Sequence, residues 1–459
     1  MKTCANTQRV TGRRAFLQRT SAGFGWLALT ALHAQWSRAA EPKAYQSPLA
    51  PKQPHFGART KRVIFLFMAG GPSHVDTFDW KPELAKAGKG GARGRYLAPV
   101  FKFQPSGDSG LMISEIFPHL AEHADDLCLL NGMHTAVAGH QQATVTLHTG
   151  SENFVRPSLG AWCVYGLGSM ADDLPGFITI NPIGDLGGAQ NYGSAFLPAV
   201  YQGTRLGSGQ RGVPNIDNRH LAAGDQRKQL DFVERANRRL LAEDPDDPNL
   251  QGLLESYELA FKMQTSVPST LDLTREPASI QRQYGLDDPA TQAFATQCLM
   301  ARRLAEKGVR FIQLTSQGWD QHNNLRQAHG RNATSIDKPI AGLIADLKQR
   351  DMLRDTLIVW GGEFGRTPRD DKGDGNGRGH ANKGYSMWMC GGGVKGGIRY
   401  GATDALGDVA VEGRMGIRDL HATILHLLGL DHEALTFRYA GRDFRLTDTS
   451  GEVAHGILA

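Results

Sequence analysis

Three short stretches of the chain carry side chains that could hold a divalent ion, and each follows an apolar run with the composition of a buried strand. Asp320 and His322 lie two residues apart just after the run ending at Leu314. That spacing lets one strand end present an oxygen and a nitrogen to the same ion. Glu363 follows the run 356–360, with Arg366 and Arg369 close behind, and His380 closes the Gly/Asp-rich loop beyond them. His74 and Asp76 follow the first apolar run, 62–68. Carboxylates and imidazoles together suit Zn²⁺, Ca²⁺, Mg²⁺ or Mn²⁺. A divalent ion there could polarise an ester oxygen and activate water, while Arg366 and Arg369 could clamp an anion. Each feature also has a plainer reading: an Asp–His turn at 320–322, a turn or N-cap aspartate at 76, or a solvated Glu363 beside an incidental His380.

A fourth stretch adds His140, which opens the helical pattern ending at Thr149-Gly150. A helix N-terminus favours a bound anion, so His140 could act there as nucleophile, ligand or general acid/base.

The elements that must position these groups alternate. Apolar strand patterns at 62–68, 127–130, 177–181, 309–314, 356–360 and 385–390 are interleaved with helical patterns at 112–125, 140–149, 156–168, 290–307, 338–351 and 417–428. This order predicts an α/β fold with a mostly parallel central sheet flanked by helices, and parallel sheets bind ligands at the carboxyl ends of their strands. Residues 184–220 read as a long Gly-rich loop. Two further helical patterns at about 222–265 read as an inserted hairpin.

The whole chain has 459 residues, with 40% apolar and 21% charged residues and a net charge of +5. No basic block follows the N-terminus, so nucleic acid is not expected as a partner. Arg13-Arg14, an apolar Phe16-Leu17 and a modest apolar run to Ala34 predict a twin-arginine export signal over residues 1–40. The expected partners therefore include the twin-arginine (Tat) export machinery, and the expected location is periplasmic or secreted. That run is too short for a spanning helix, so no stable membrane insertion is expected. A linker at 41–60, a main domain at 61–445 and a tail at 446–459 complete the expected organisation. Cys4 lies in the signal, and Cys128, Cys163, Cys298 and Cys390 show no CxxC spacing. They read as buried small residues, with disulfides left open.

Several of these motifs carry a resemblance. TLIVWGGEFG resembles the strand that ends in Ser-Asp-His-Gly in sulfatases and other alkaline-phosphatase-superfamily enzymes. HANKGYSMWMCGGGVKGG is similar to their late ligand histidine and following strand, and IRDLHATILHLLGLD to their D-x-x-P-T-I-L helix. With GGPSHVDTFD, HTG before RPSLGAW, GWDQHNN and GGEFGRTPR, the mature chain is identified as a member of the exported, sulfatase-related family called domain of unknown function 1501.

The resemblance implies an alkaline-phosphatase/sulfatase-like fold and metal-dependent hydrolysis of phosphate or sulfate esters. It places Glu363 on an Asp ligand, His380 on the late His ligand, and Phe364 where a neighbouring His ligand would stand. GHQQATVTLHTG matches Cys-x-Pro-Ser-Arg-x-x-x-Leu-Thr-Gly, putting His140 at the nucleophile's position and Thr144 at the arginine's. Ala69-Gly70 replace the aspartates ending the first strand. With the usual Ser/Thr/Cys nucleophile missing, the alternative is a non-catalytic relative that binds sulfated or phosphorylated glycans or a surface partner.

Overall fold

The computed structural model describes residues 47–88, 94–207, 216, 218, 220–243 and 247–459. The expected signal peptide and Cys4 lie outside these residues. Pro48–Ala459 forms one compact unit. Its strands are β1 Arg62–Met68, a hairpin of β2 Phe103–Ser106 and β3 Leu111–Ser114, β4 Leu127–Met133, β5 Phe177–Ile180, β6 Thr204–Leu206, β7 Phe311–Ser316 and β8 Thr356–Gly361. A second hairpin of β9 Gly365–Asp370 and β10 Arg378–Ala381 follows, then β11 Tyr385–Gly391 and β12 Ile398–Tyr400.

Eight of these build the central sheet in the order β12-β4-β11-β8-β1-β7-β5-β6. The run β8-β1-β7-β5-β6 is parallel throughout. β11 is antiparallel to both β8 and β4, so β4 points the same way as β8. The carboxyl ends of β1, β4, β7 and β8 therefore share one edge of the sheet.

Both faces of the sheet are buried, which is why its strands read as continuous apolar runs rather than alternating ones. Successive residues of β1 enter opposite cores. Ile64, Leu66 and Met68 pack with residues of the Gln292–Glu306 and Leu325–Gln349 helices, while Val63, Phe65 and Phe67 pack with residues of the Leu159–Leu167 and Ile417–Leu427 helices. β8 divides the same way, Ile358 and Trp360 against Leu357 and Val359. The result is the helix–sheet–helix layering expected of the α/β class.

Three elements differ from their sequence reading. The stretch 112–125 is not one helix. Leu111–Ser114 pairs with Phe103–Ser106, and only Pro118–Ala121 and the 3-10 turn Ala124–Asp126 are helical. A short apolar run cannot be assigned by periodicity alone. The Gly-rich segment 184–220 contributes the edge strand β6. The helix expected at 338–351 begins earlier and spans Leu325–Gln349. The inserted pair is helical as expected, Ala223–Glu243 and Pro248–Thr270. Cys128, Cys163, Cys298 and Cys390 are all free and buried, and among the described residues no helix is long and apolar enough to cross a membrane.

Candidate metal centre

Four of the residues singled out above converge at the shared strand edge. Asp320 and His322 follow β7, His380 sits in the β9–β10 hairpin that follows β8, and His140 opens the His140–Thr149 helix that follows β4. One ligand atom from each lies within 4.8 Å of those of the other three. Asp320 Oδ1 is the hub, at 3.0 Å from His322 Nε2, 3.2 Å from His140 Nε2 and 3.5 Å from His380 Nε2.

The opposite ring nitrogens fix how the imidazoles are presented. His380 Nδ1 lies 2.7 Å from the Ala138 carbonyl oxygen, which can only accept, so this nitrogen carries the hydrogen. His322 Nδ1 lies 2.9 Å from Asp371 Oδ2, and His140 Nδ1 lies 2.5 Å from Glu363 Oε1, with the same consequence. All three rings therefore turn Nε2 inward, in the manner of metal-ligating histidines whose outer nitrogen is held by a carboxylate or carbonyl.

That arrangement calls for a cation. His322 Nε2 and His380 Nε2 are 2.9 Å apart. Two lone pairs at that separation repel unless a proton or a metal ion lies between them. The Nε2 of His140 is buried and has Asp320 Oδ1, at 3.2 Å, as its neighbour. A donor set of three imidazoles and one carboxylate fits Zn²⁺, or Mn²⁺ at a stretch, and disfavours Ca²⁺ and Mg²⁺, which take shells of oxygen.

The electrostatics agree. Burial lowers the affinity of His140 for a proton, but the bonds and charges of Asp320 and Glu363 outweigh it and raise the pKa to about 9. Burial raises the pKa of Asp320, yet hydrogen bonds from His140, His380 and Arg366, with the Arg366 charge, carry it well below the usual carboxylate range. Asp320 is thus an anion at any ordinary pH, its charge already shared with the Arg366 guanidinium.

The remaining expected site residues have other partners. Glu363 is fully buried and accepts the Gly70 backbone N–H at 3.0 and 3.1 Å as well as the His140 bond. It stands behind His140 rather than among the inward-facing donors. Arg366 is also fully buried. Its guanidinium donates to the carbonyls of Gly71 at 2.9 Å, Arg378 at 3.3 Å and Gly70, and to Asp320 at 2.5 Å. Its role as an anion clamp is therefore corrected: its donors are committed to the fold and to orienting Asp320. Arg369 pairs with Asp408 at 2.9 Å and the Tyr96 hydroxyl at 2.8 Å.

His74 and Asp76 do not join the cluster. His74 Nε2 bonds the Gly407 carbonyl at 2.8 Å, and Asp76 takes a two-pronged ion pair from buried Arg378 plus the Ser73 hydroxyl. Their expected place as ligands is corrected on that ground: Asp76 is fully buried and both its oxygens are taken up by Arg378, Ser73 and the Val100 N–H.

Two features were missed in the sequence. Asp371, the carboxylate that orients His322, lies in an Asp/Gly run that reads as a turn. Gly70 has φ +116°, and a Cβ there would stand 2.7–2.9 Å from the backbone of Trp319 and Asp320. Only glycine lets the loop after β1 pass beneath Asp320. Phe364, at the position matched to a ligand histidine, is fully buried. Its ring centre lies 4.7 Å from those of His140 and His380, so it packs the imidazoles in place.

A cavity of about 640 Å³ opens beside His140, lined by Gly139, Gln141, Gln142, Val145 and the segment Glu152–Val155. It lies against the first turn of the His140–Thr149 helix, whose N–H groups favour an anionic group.

The sequence matches, over residues 60–458, a family described as a protein of unknown function, DUF1501. No curated protein matches it. Among solved structures, the PsFucS1 sulfatase from Pseudoalteromonas sp. is similar at 14% identity, covering 82% of this chain and 69% of that one, with a TM-score of 0.36. The phosphonate monoester hydrolase SpPMH from Silicibacter pomeroyi is similar at 13% identity, covering 86% and 78%, TM-score 0.35. The C-terminal periplasmic domain of EcEptC from Escherichia coli, in complex with Zn, is similar at 9% identity, covering 90% and 98%, TM-score 0.36. These are distant likenesses of chain path and say nothing of activity.

Proposed function

This chain belongs to the DUF1501 family, and from its site we propose that it is an exported, metal-dependent hydrolase of phosphate or sulfate esters. The observation that carries the reading is the convergence of His140, Asp320, His322 and His380, drawn from three separate parts of the chain, on one set of inward-facing donor atoms. These four residues would hold the ion. When bound, it supplies Lewis acidity toward an ester oxygen and toward water.

The chain's own groups do the rest. Asp320 contributes the negative charge, and Arg366 holds it in register. Glu363, Asp371 and the Ala138 carbonyl keep three rings turned inward. The first turn of the helix and the adjoining cavity receive the anionic ester. His140 is the one of these four residues that also borders the cavity, so an ester seated there would lie beside the donors that hold the ion. The arginine pair near the N-terminus supports a periplasmic or secreted place of action.

A panel of phosphate monoesters, phosphate diesters and sulfate esters tests the reading. Hydrolysis is expected to stop with a chelator and return on adding Zn²⁺ or Mn²⁺. No turnover of any ester by ion-loaded protein would retire catalysis and leave the anion-binding reading.

The raised pKa of His140 predicts a pH dependence. In the ion-free protein His140 keeps its proton up to about pH 9, and an ion can bind only when that proton leaves. Affinity for Zn²⁺ should therefore climb by about tenfold per pH unit toward pH 9 and level off above it. The stability of the ion-free protein runs the other way. A folded-state pKa above the unfolded value of about 6.5 gives stabilisation that is complete below that value and lost as pH rises through about 9. Calorimetric titration across pH, with melting curves in chelator, reads both. A melting temperature that does not fall between pH 7 and 10 would contradict the assignment.

A further inference from the structure

A second cavity lies at the other end of the His140–Thr149 helix. It measures about 180 Å³ and is lined by Thr149–Phe154, Arg156, Trp162, Phe196, Arg418, Arg445 and Asp448. Glu152, Asn153 and Phe154 form a wall common to both cavities. The two ends of a ten-residue helix are about 15 Å apart.

The three arginines here are not equivalent. Arg418 donates to the Gly150 carbonyl at 3.1 Å and the Ser450 hydroxyl at 3.2 Å, and Arg445 pairs with Glu433 at 2.9 Å. Arg156 has no ion pair or hydrogen bond among the described residues. Its guanidinium lies 4.4 Å from the ring centre of Phe444, 5.2 Å from Phe154 and 5.9 Å from Phe196. Phe196 in turn stacks nearly parallel on Phe437 and Tyr439. Phe154 is 65% exposed and Tyr439 50% exposed, so a large part of this aromatic group faces solvent.

Aromatic faces hold a guanidinium flat and leave its edge donors free for a two-pronged bond to an oxyanion. The same faces accept the uncharged face of a ring. Glu152 and Asp448 at the margin count against a densely charged polymer such as a nucleic acid. A sparsely charged sugar chain meets all three conditions.

We propose that Arg156, framed by Phe154, Phe196 and Phe444, forms a second subsite for an oxyanion carried on a sugar ring, about one helix length from the metal centre. The function proposed above is the premise for placing a scissile ester at the other end of the same ligand. Binding at Arg156 itself needs no metal.

The test is calorimetric titration of the full chain, ion-loaded and again in chelator. The probes are cellotetraose bearing a single terminal sulfate, unmodified cellotetraose and inorganic sulfate. The sulfated tetramer should bind in both conditions and at least about tenfold more tightly than either other probe, as a charged two-pronged bond warrants. Arg156→Ala should weaken it by about tenfold or more, with Arg156→Lys between the two. Melting curves establish that both variants are folded. Unchanged affinity in Arg156→Ala, inorganic sulfate binding as tightly as the sulfated tetramer, or no binding of that tetramer to the wild type would each overturn the subsite. If no ion binds the cluster while Arg156-dependent affinity persists, the hydrolase reading fails and the subsite stands.

Discussion

Asp320→Asn should lower affinity for Zn²⁺ by about 100-fold or more and abolish any metal-dependent turnover with it. Outer partners of ligating residues are worth about 10–100-fold each, and Asp320 is the only carboxylate among the four inward-facing donors. The substitution removes the one negative charge that offsets the ion while leaving an amide of nearly the same shape. The amide oxygen can still accept from Arg366, so the fold should survive. Asp320→Ala would not isolate the effect, because it leaves the fully buried Arg366 guanidinium without its carboxylate. Calorimetric titration of Zn²⁺, with melting curves as a control, reads the result. Wild-type affinity in Asp320→Asn would show that the ion, if any, is held elsewhere.

The second large effect is one of stability. Arg366→Ala should destabilise the protein by about 4 kcal/mol or more, from buried carbonyls losing charged donors and a large side chain leaving a cavity. The guanidinium bonds the carbonyls of Gly70, Gly71 and Arg378 and orients Asp320, all in one fully buried fork. An arginine that served only to clamp a substrate anion would behave differently, raising KM while the folded state kept its stability. Urea unfolding of Arg366→Ala and Arg366→Lys decides between the two. A variant as stable as the wild type with a raised KM would restore the clamp. Lysine should recover only part of the loss, since one ammonium cannot span the same acceptors.

These two residues also illustrate how much of the molecule could be read from its sequence. β1 and β8 were legible because a strand covered on both faces is apolar without interruption, and each stops at glycines where the chain turns into the site. The spacing of Asp320 and His322 was legible because one strand end can present both. The partners were not. Arg366 and Asp320 are 46 residues apart, and Arg378 and Asp76 are 302 apart, so nothing local distinguishes a guanidinium satisfied by backbone from one awaiting a substrate. His74 and Asp76 share the spacing of Asp320 and His322, the sharper pair, and their true partners were hidden for the same reason. Asp371 was passed over because an aspartate in a Gly-rich loop has an ordinary explanation as a turn residue, and only the folded hairpin shows it facing His322. The segment 111–114 failed differently: four apolar-rich residues fit a strand or a helix turn equally well until their hairpin partner is known.

X-ray absorption at the zinc edge, on the purified full chain loaded with one equivalent of Zn²⁺, addresses the convergence itself. The account predicts three imidazole nitrogens at about 2.0–2.1 Å and one carboxylate oxygen at about 2.0–2.2 Å, with one imidazole lost in each of His140→Ala, His322→Ala and His380→Ala. A protein that retains no zinc, or a first shell unchanged in all three variants, would contradict it.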